Sequence, residues 1–372
     1  MTDSSLKRVA VLGLGNVGGL IADMLRERGF DVRGADADPA KALDDGVSVL
    51  DVADAEALGD LIRSADAVVS CLPYHLMSTV ASAAVAAGVH YLDLTEDVTT
   101  SRALRKLGET SDSVLMPHCG LAPGFICVAG ASLAARLETV ERIALRVGAL
   151  PRTPSNALGY AFNWSPAGVV NEYLNDCEQL DGGVRVMVPP LGGLETIIIE
   201  GTHYEAFTTS GGLGTLCDTF AGRVSQLDYK TIRYPGHCAL MRFLLHELGM
   251  ASKREILQEL LAEAYPPVGD DLVVLYAAAV GNRAGRPTRE ELAYLYGPRI
   301  VAGKAHTAIS WTTAAGAVAM VELLANGALP QKGFVHQEDV PLEAFLATSA
   351  GHLLADGASA RGSIEETQLR VG

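Results

Sequence analysis

Positive charge is in short supply: 29 lysines and arginines face 44 aspartates and glutamates, a formal net charge of −15 at pH 7. A deficit of that size argues against a nucleic-acid or anionic-membrane surface, since both require clustered cations. Paired cysteines are missing too. The six cysteines, at 71, 119, 127, 177, 217 and 238, contain no C-x-x-C spacing and sit in largely apolar neighbourhoods. They read as reduced, mostly buried thiols, and neither a disulfide framework nor a metal site is expected. Apolar runs are interrupted by glycine or polar residues well short of a bilayer span, so no transmembrane helix is expected. Residues 1–8 are polar and run straight into the first apolar stretch, leaving no room for a signal-peptide core. The expectation is a cytoplasmic protein with a small-molecule substrate and no nucleic-acid or membrane partner. There is no internal repeat and no low-complexity linker, and 372 residues are enough for two domains.

What is present is a glycine turn in context. The apolar run at 9–12 stops in Gly13-Leu14-Gly15-Asn16-Val17-Gly18-Gly19, which opens into a helical pattern over 20–28. Gly13 permits the tight turn, Gly15 lets the backbone approach a pyrophosphate, and Gly18 allows close helix–strand packing at a helix N-terminus that favours anions. A second strand over 31–35 delivers Asp36 about 20 residues downstream, the position that hydrogen-bonds a ribose 2′-hydroxyl. Asp36 therefore favours NAD over NADP, with a solvated turn residue as the alternative reading; Arg33 lies on the strand and is discounted as a phosphate ligand.

Beyond it, apolar strands at 46–52, 65–72, 90–94 and 113–116 alternate with helical segments at 55–63 and 78–87, the pattern of a parallel, doubly wound sheet. Ligands in such sheets bind beyond the carboxyl ends of the strands. The residues there are Gly13 to Gly18, Asp36, Cys71-Leu72-Pro73-Tyr74-His75, Asp93 to Asp97, and the Gly- and Pro-rich loop 117–124. Three carboxylates in five positions, Asp93, Glu96 and Asp97, suit a cationic substrate or a proton acceptor, while Thr95 or Asp97 could instead cap a helix. His118 could act as acid or base, and a packed histidine beside a packed Cys119 is the alternative.

A helix over 126–136 leads into a second, α+β block, with strands at 143–147, 184–188, 196–200, 204–208, 230–234 and 273–280 and helices at 240–248, 253–264 and 289–296. A turn is expected at 281–285. Its polar candidates are Tyr160, Asn163, Trp164 and Ser165, then Thr209 and Ser210, then Arg233 and His237. Lys230 and Arg233 are three apart on a strand and point to opposite faces. A buried helix over 307–326 follows, the stretch 329–345 packs back on the nucleotide domain, and 358–372 reads as a ragged tail. The expected divisions are 1–124 for the dinucleotide, 125–303 for substrate and dimerisation, and 304–372 returning to the first.

At these motifs the chain resembles the saccharopine dehydrogenase-like family, and within it the bacterial lysine 6-dehydrogenase group. GLGNVGG, VVSCLPYHL, YLDLTED, CGLAPG, FNWSPAG, TTSGG and YKTIRYPGH carry the resemblance over most of the chain. It implies a Rossmann oxidoreductase that uses NAD to deaminate the lysine ε-amine to 2-aminoadipate 6-semialdehyde. That product cyclises to a piperideine carboxylate, and ammonia is released. On that reading Asp93 or Glu96 holds or deprotonates the amine. Tyr160, Trp164 and Ser165 line the pocket with Tyr74 and Asn163 beside them, and the 209–211 turn with Arg233 or His237 receives the α-carboxylate. Gly13, Gly15, Asn16, Val17, Gly18, Asp36, Cys71, Leu72 and Pro73 hold the cofactor. Saccharopine or other amine and opine dehydrogenases of the family are the alternative, and a non-catalytic dinucleotide-binding protein the second alternative. The apolar middle block fits a homodimer or larger homo-oligomer.

Overall fold

The computed structural model describes residues 6–42, 46–359 and 362–365. Contacts gather them into two units. One takes the chain up to Val128 with Ile300–Ala305 and Ser310–Asp356; the other takes Ala129–Arg299, His306–Ile309 and the residues from Gly357 on.

In the first unit the apolar run becomes strand β1 (Arg8–Leu12), buried over its last four residues. Helix α1 (Asn16–Glu27) follows, then β2 (Asp31–Asp36), β3 (Val47–Val49), α2 (Ala55–Arg63), β4 (Ala67–Ser70), α3 (Tyr74–Ala87), β5 (His90–Asp93), α4 (Val98–Gly108) and β6 (Val114–Met116). The strands pair in parallel in the order β6-β5-β4-β1-β2-β3, and Gly333–Phe334 adds a seventh beside β6. The order reverses between β1 and β4, which is where a doubly wound sheet opens its ligand crevice. Helix starts are set locally: the Asp54 carboxylate accepts from the Glu56 and Ala57 N–H groups at α2, and Asp97 accepts from Thr100 at α4. The helix Ala308–Ala325 is long and apolar enough by composition to cross a bilayer, which the interrupted sequence pattern did not suggest. It is 78% buried inside the protein, as a core helix is.

The second unit follows helix α5 (Phe125–Ala135). It is built on β7 (Thr139–Pro151), α6 (Pro166–Glu172), β8 (Cys177–Asp181), β9 (Val184–Val188), β10 (Glu195–Ile199), β11 (Thr202–Thr208), α7 (Leu216–Phe220), β12 (Val224–Arg233), α8 (His237–Arg242), α9 (Arg254–Ala264), β13 (Asp271–Arg283) and β14 (Arg286–Tyr296). The sheet runs β14-β13-β7-β12-β11-β10 and is mixed, β7 and β12 being parallel.

Three expectations change here. Residues 289–296, with helix-favouring Glu-Glu-Leu-Ala, form strand β14, because they pair with β13 over its whole length and tertiary pairing overrides a weak local propensity. Residues 281–283 belong to β13, and only Ala284 and Gly285, with φ of 51° and 71°, make the hairpin turn. The expected tail is partly ordered. Ala358–Ser359 pairs with β14 at one edge of the sheet and Gly362–Glu365 with β10 at the other, and Gly362 is packed so closely on Tyr276 that a Cβ there would meet its ring at 2.8 Å. Positions 366–372 lie outside the described residues.

The strands of this sheet carry a neutralised ion cluster. Arg146, 0% exposed, gives Nε and Nη2 to Glu195, Nη2 also to Asp228, and Nη1 to the carbonyls of Leu145 and Asp228. Lys230 completes it with Nζ 2.5 Å from Glu195. Every guanidinium nitrogen is satisfied, the condition for burying such a charge at all.

Candidate active site

The glycine turn is shaped by close backbone approach. A Cβ on Gly18 would lie 1.9 Å from the Gly13 carbonyl oxygen, and one on Gly13, whose φ is 84°, would lie 2.9 Å from the Cys71 carbonyl. Gly15 differs. It caps α1 without a side chain, and nothing stands within 4 Å of where its Cβ would be. The first-turn N–H groups of Asn16, Val17 and Gly18 have no intrahelical acceptor, and they face this opening at the positive end of the helix. A pyrophosphate fits that arrangement. Asp36 ends β2 and braces the turn: its Oδ2 accepts from the Leu14 N–H at 2.6 Å and its Oδ1 from Asp38 at 2.9 Å. The Cys71 N–H donates to Leu12 at the end of β1, and Pro73 caps α3, whose first residue, Tyr74, is 38% exposed.

Beside this cradle lies a buried acidic cluster. Leu12, Ser70 and Asp93 are in register at the carboxyl ends of β1, β4 and β5. Asp93 is 0% exposed. Its Oδ2 accepts from the Tyr91 hydroxyl at 2.8 Å, and its Oδ1 accepts from the N–H groups of Thr95 at 3.0 Å and His118 at 3.3 Å. Burial outweighs these bonds and pushes the carboxyl up to about 6. Glu96 is pushed up to about 7, by burial first and by the neighbouring charges of Asp97 and Asp93. His118 has a φ of 63° and places Nε2 2.7 Å from the Ser101 hydroxyl; burial lowers its imidazole to about 4, so the ring is neutral near pH 7.

The loop after β6 is fixed from several sides. A Cβ on Gly124 would meet the Gly120 carbonyl at 2.1 Å, and Gly316 on the long helix packs so closely that its own Cβ would lie 2.7 Å from the same oxygen. Gln337 donates Nε2 to the Pro117 carbonyl at 2.7 Å, and the Cys119 N–H donates to the Asp93 carbonyl at 2.8 Å. The Cys119 and Cys71 thiols are both held protonated by burial, Cys71 at about 12.

The second unit carries a separate aromatic and cationic cluster. His237 Nδ1 lies 2.8 Å from the Leu158 carbonyl, so that nitrogen carries the proton and Nε2 is an acceptor. The Tyr173 hydroxyl donates to it at 3.0 Å and accepts from Arg233 Nε at 2.9 Å. Burial first, then the Arg233 cation, holds His237 at about 3, a neutral ring. The Arg233 guanidinium stacks 4.6 Å from the Tyr160 ring centre, and the Tyr160 hydroxyl accepts from Trp164 Nε1 at 3.1 Å. Arg233 Nη1 donates to Ile232, while Nη2 has no hydrogen-bond partner among the described residues. Glu205 orients this end of α8 by accepting from the Gly236 and Cys238 N–H groups.

The first unit therefore brings Gly13 to Gly18, Asp36, Cys71 to Tyr74, Asp93, Glu96 and His118 to one set of strand ends. The second brings Tyr160, Trp164, Arg233 and His237 together, with Lys230 on the opposite face. Some candidates spend their polar atoms on the fold. Asn163 exchanges two hydrogen bonds with the Val268 backbone, Ser165 accepts from Gly168 as an N-cap, and Asp97 caps α4. Ser210 donates its N–H to Glu172, and Thr209 is buried with its hydroxyl unpartnered among the described residues. Tyr91, Ser101, Tyr173, Glu205 and Gln337 were not anticipated. Tyr91 had a signal, standing two before Asp93 on a strand and so on the same face; the others come from distant segments and had none.

A switch-point crevice with a glycine cradle, followed by an α+β unit, defines a dinucleotide-binding oxidoreductase fold. The chain matches the saccharopine dehydrogenase NADP binding domain over residues 9–114 and the saccharopine dehydrogenase C-terminal domain over 120–352. It belongs to the saccharopine dehydrogenase family. Similar curated proteins include the mitochondrial alpha-aminoadipic semialdehyde synthase of Mus musculus, 29% identical over 199 residues. Another is the saccharopine dehydrogenase [NADP(+), L-glutamate-forming] of Pyricularia oryzae, 27% identical over 183 residues. The matches cover 50% and 44% of this chain but only 22% and 39% of those proteins. Among solved structures, the apo saccharopine dehydrogenase (L-Glu forming) of Saccharomyces cerevisiae aligns over 96% of this chain and 100% of its own with a TM-score of 0.72 at 14% identity, a likeness of fold.

Proposed function

We propose that this protein is an NAD-dependent dehydrogenase that oxidatively deaminates the ε-amine of L-lysine to 2-aminoadipate 6-semialdehyde. The aldehyde cyclises to piperideine-6-carboxylate, and ammonia leaves. The observation that carries the reading is Asp93, a buried carboxyl held at about 6 beside the dinucleotide cradle, with Glu96 at about 7 close by in sequence. A carboxyl in that range takes up and returns a proton near neutral pH, as deprotonating an ammonium and then assisting water on an imine requires. His118, neutral and bonded to Ser101, orients the loop instead.

Bound NAD would accept the hydride, held by the N–H groups of Asn16 to Gly18 with Asp36 facing the ribose. A carboxylate at Asp36 supports NAD over the NADP of the family's domain name, because it repels a 2′-phosphate. In the second unit, the unpartnered Nη2 of Arg233 suits an amino-acid carboxylate, and Tyr160 and Trp164 suit an aliphatic chain. The names of the relatives, saccharopine dehydrogenase and aminoadipic semialdehyde synthase, support lysine-derived chemistry. They also favour a second reading, a dehydrogenase of saccharopine itself. In the proposed cytoplasmic setting the six cysteines, five of them buried, remain thiols.

Initial rates with lysine, ornithine and saccharopine, each with NAD and NADP, test the assignment. Turnover of lysine with NAD is expected to dominate. Faster turnover of saccharopine transfers the assignment to the second reading, and no reduced cofactor from any amine overturns both.

A further inference from the structure

The second unit holds a groove of about 540 Å³ that the proposed chemistry does not use. It opens at one end of the sheet, where β7, β10, β12 and β14 finish and β11 and β13 begin. Ile199, Leu272 and Leu295 give it an apolar lining, and the Tyr204 and Tyr234 rings add to it with centres 5.6 Å apart. Tyr234 is pinned by its hydroxyl, which donates to the Pro151 carbonyl at 3.0 Å. Two charges of opposite sign share the lining. Arg152 is held by one edge, with Nε 2.8 Å from Asp270 Oδ1 and its N–H donating to the Asp270 carbonyl at 3.0 Å. Its Nη2 lies against Gly297, where any Cβ would push the guanidinium aside. The other charge is Glu200, which stands with φ of 49° ahead of Gly201 in the two-residue turn between β10 and β11. Such turns favour Asn, Asp or Gly at that position, so the turn itself does not call for glutamate.

An apolar groove with a few polar groups in its lining is the ordinary form of a small-molecule site, and such sites run from about 300 to 1,000 Å³. Here the polar groups are one cation and one anion. A carboxylate matches the planar guanidinium of Arg152, an ammonium matches Glu200, and an aliphatic or aromatic body matches the leucines and the two rings. An anion alone would leave Glu200 unmatched, and a cation alone would leave Arg152 so. We infer that this groove binds a free amino acid with an apolar side chain. The site is distinct from the Arg233 cluster. Arg233 and Tyr234 are neighbours on the chain, yet Arg233 turns to Tyr160 and Tyr173 while Tyr234 faces Tyr204. Occupancy of the groove is therefore independent of which amine the protein oxidises.

The test is isothermal titration calorimetry of the full-length protein with leucine as the probe and no dinucleotide present, with thermal melts to establish that each variant folds. Leucine is expected to bind. Two analogues of the same shape, 4-methylpentanoate without the ammonium and 3-methylbutylamine without the carboxylate, should each bind at least about tenfold more weakly. Arg152→Ala should lose leucine, and the half-exposed position of that side chain leaves the core untouched. Glu200→Gln should bring leucine down to the affinity of 4-methylpentanoate. Arg233→Lys should bind leucine as the wild type does. Absence of leucine binding, equal affinity for the three compounds, or binding that survives Arg152→Ala overturns the inference. So does loss of leucine from Arg233→Lys, which would place it in the Arg233 cluster instead.

Discussion

Replacing Asp93 with asparagine removes a charge and keeps the shape. The asparagine oxygen can accept from Thr95 and His118 as Oδ1 does, and its amide can donate to the Tyr91 oxygen, so all three hydrogen bonds of the site have a counterpart. What disappears is the cost of ionising a group with no access to water. The carboxyl lies at about 6 in the folded protein against an ordinary 3.8. At about 1.4 kcal/mol for each pH unit, ionised Asp93 costs the fold on the order of 3 kcal/mol. The sign follows from a raised acid: its stabilising contribution is complete below about 3.8 and is lost as pH climbs to about 6. Asp93→Asn should therefore match the wild type in acid, gain on it between those values, and keep a constant advantage above. Chemical denaturation of both proteins at a series of pH values measures this, and NADH absorbance should show turnover down by about a hundredfold or more, the usual worth of a lost general base. A stability difference that ignores pH, or a variant that is less stable at neutral pH, refutes the electrostatic account; full activity refutes the proton-transfer role.

Gly18→Ala places a methyl carbon 1.9 Å from the Gly13 carbonyl, so the turn must open and NADH affinity, read by fluorescence titration, should fall severely; affinity within a factor of about three would contradict the packing argument. Tyr91→Phe takes a hydrogen bond from the ionised Asp93, which should raise the acid limb of the pH–rate profile by about one unit, and an unmoved limb would remove Tyr91 from the site. Arg233→Lys gives up the planar fork and the bond to Tyr173, so KM for the amino acid should rise about tenfold or more with kcat little changed. Arg146→Met leaves Glu195 and Asp228 with Lys230 as their remaining buried cation and should cost about 3–5 kcal/mol in denaturation, with ligand affinities unaffected in whatever remains folded.

Much of the first unit was legible because its signals are local. A strand, a glycine turn and a helix start occupy consecutive residues, so Gly13, Gly15 and Gly18 could be assigned from spacing alone, and the alternation of apolar runs located the strands of a parallel sheet up to Met116, though not their order in it. The second unit was less legible because its pairings are not local. Arg289–Tyr296 carries a helix-forming composition and becomes a strand only by lying along β13, and the residues from Ala358 on read as a tail because the partners of Ala358–Ser359 and Gly362–Glu365, β14 and β10, are remote in sequence.

Within the site, sequence placed residue types and the structure decides which atoms are still available. Asp36, Asp97, Asn163 and Ser165 all stand where sequence put them, and each spends side-chain atoms on backbone N–H groups or carbonyls nearby. For Asp36 the two uses are compatible. A carboxylate oxygen has two lone pairs, so Oδ1 and Oδ2, each accepting one N–H, keep acceptor capacity for a ribose hydroxyl while holding the glycine turn that carries the phosphates. Exchanging Asp36 for serine to admit NADP should then loosen the turn as well as change the charge. With Asp36→Ser and Ala37→Arg together, affinity for both cofactors should fall while their ratio moves toward NADP. A clean exchange of preference, at undiminished affinity for the better cofactor, would show that the brace from Asp36 to Leu14 contributes nothing to the cradle.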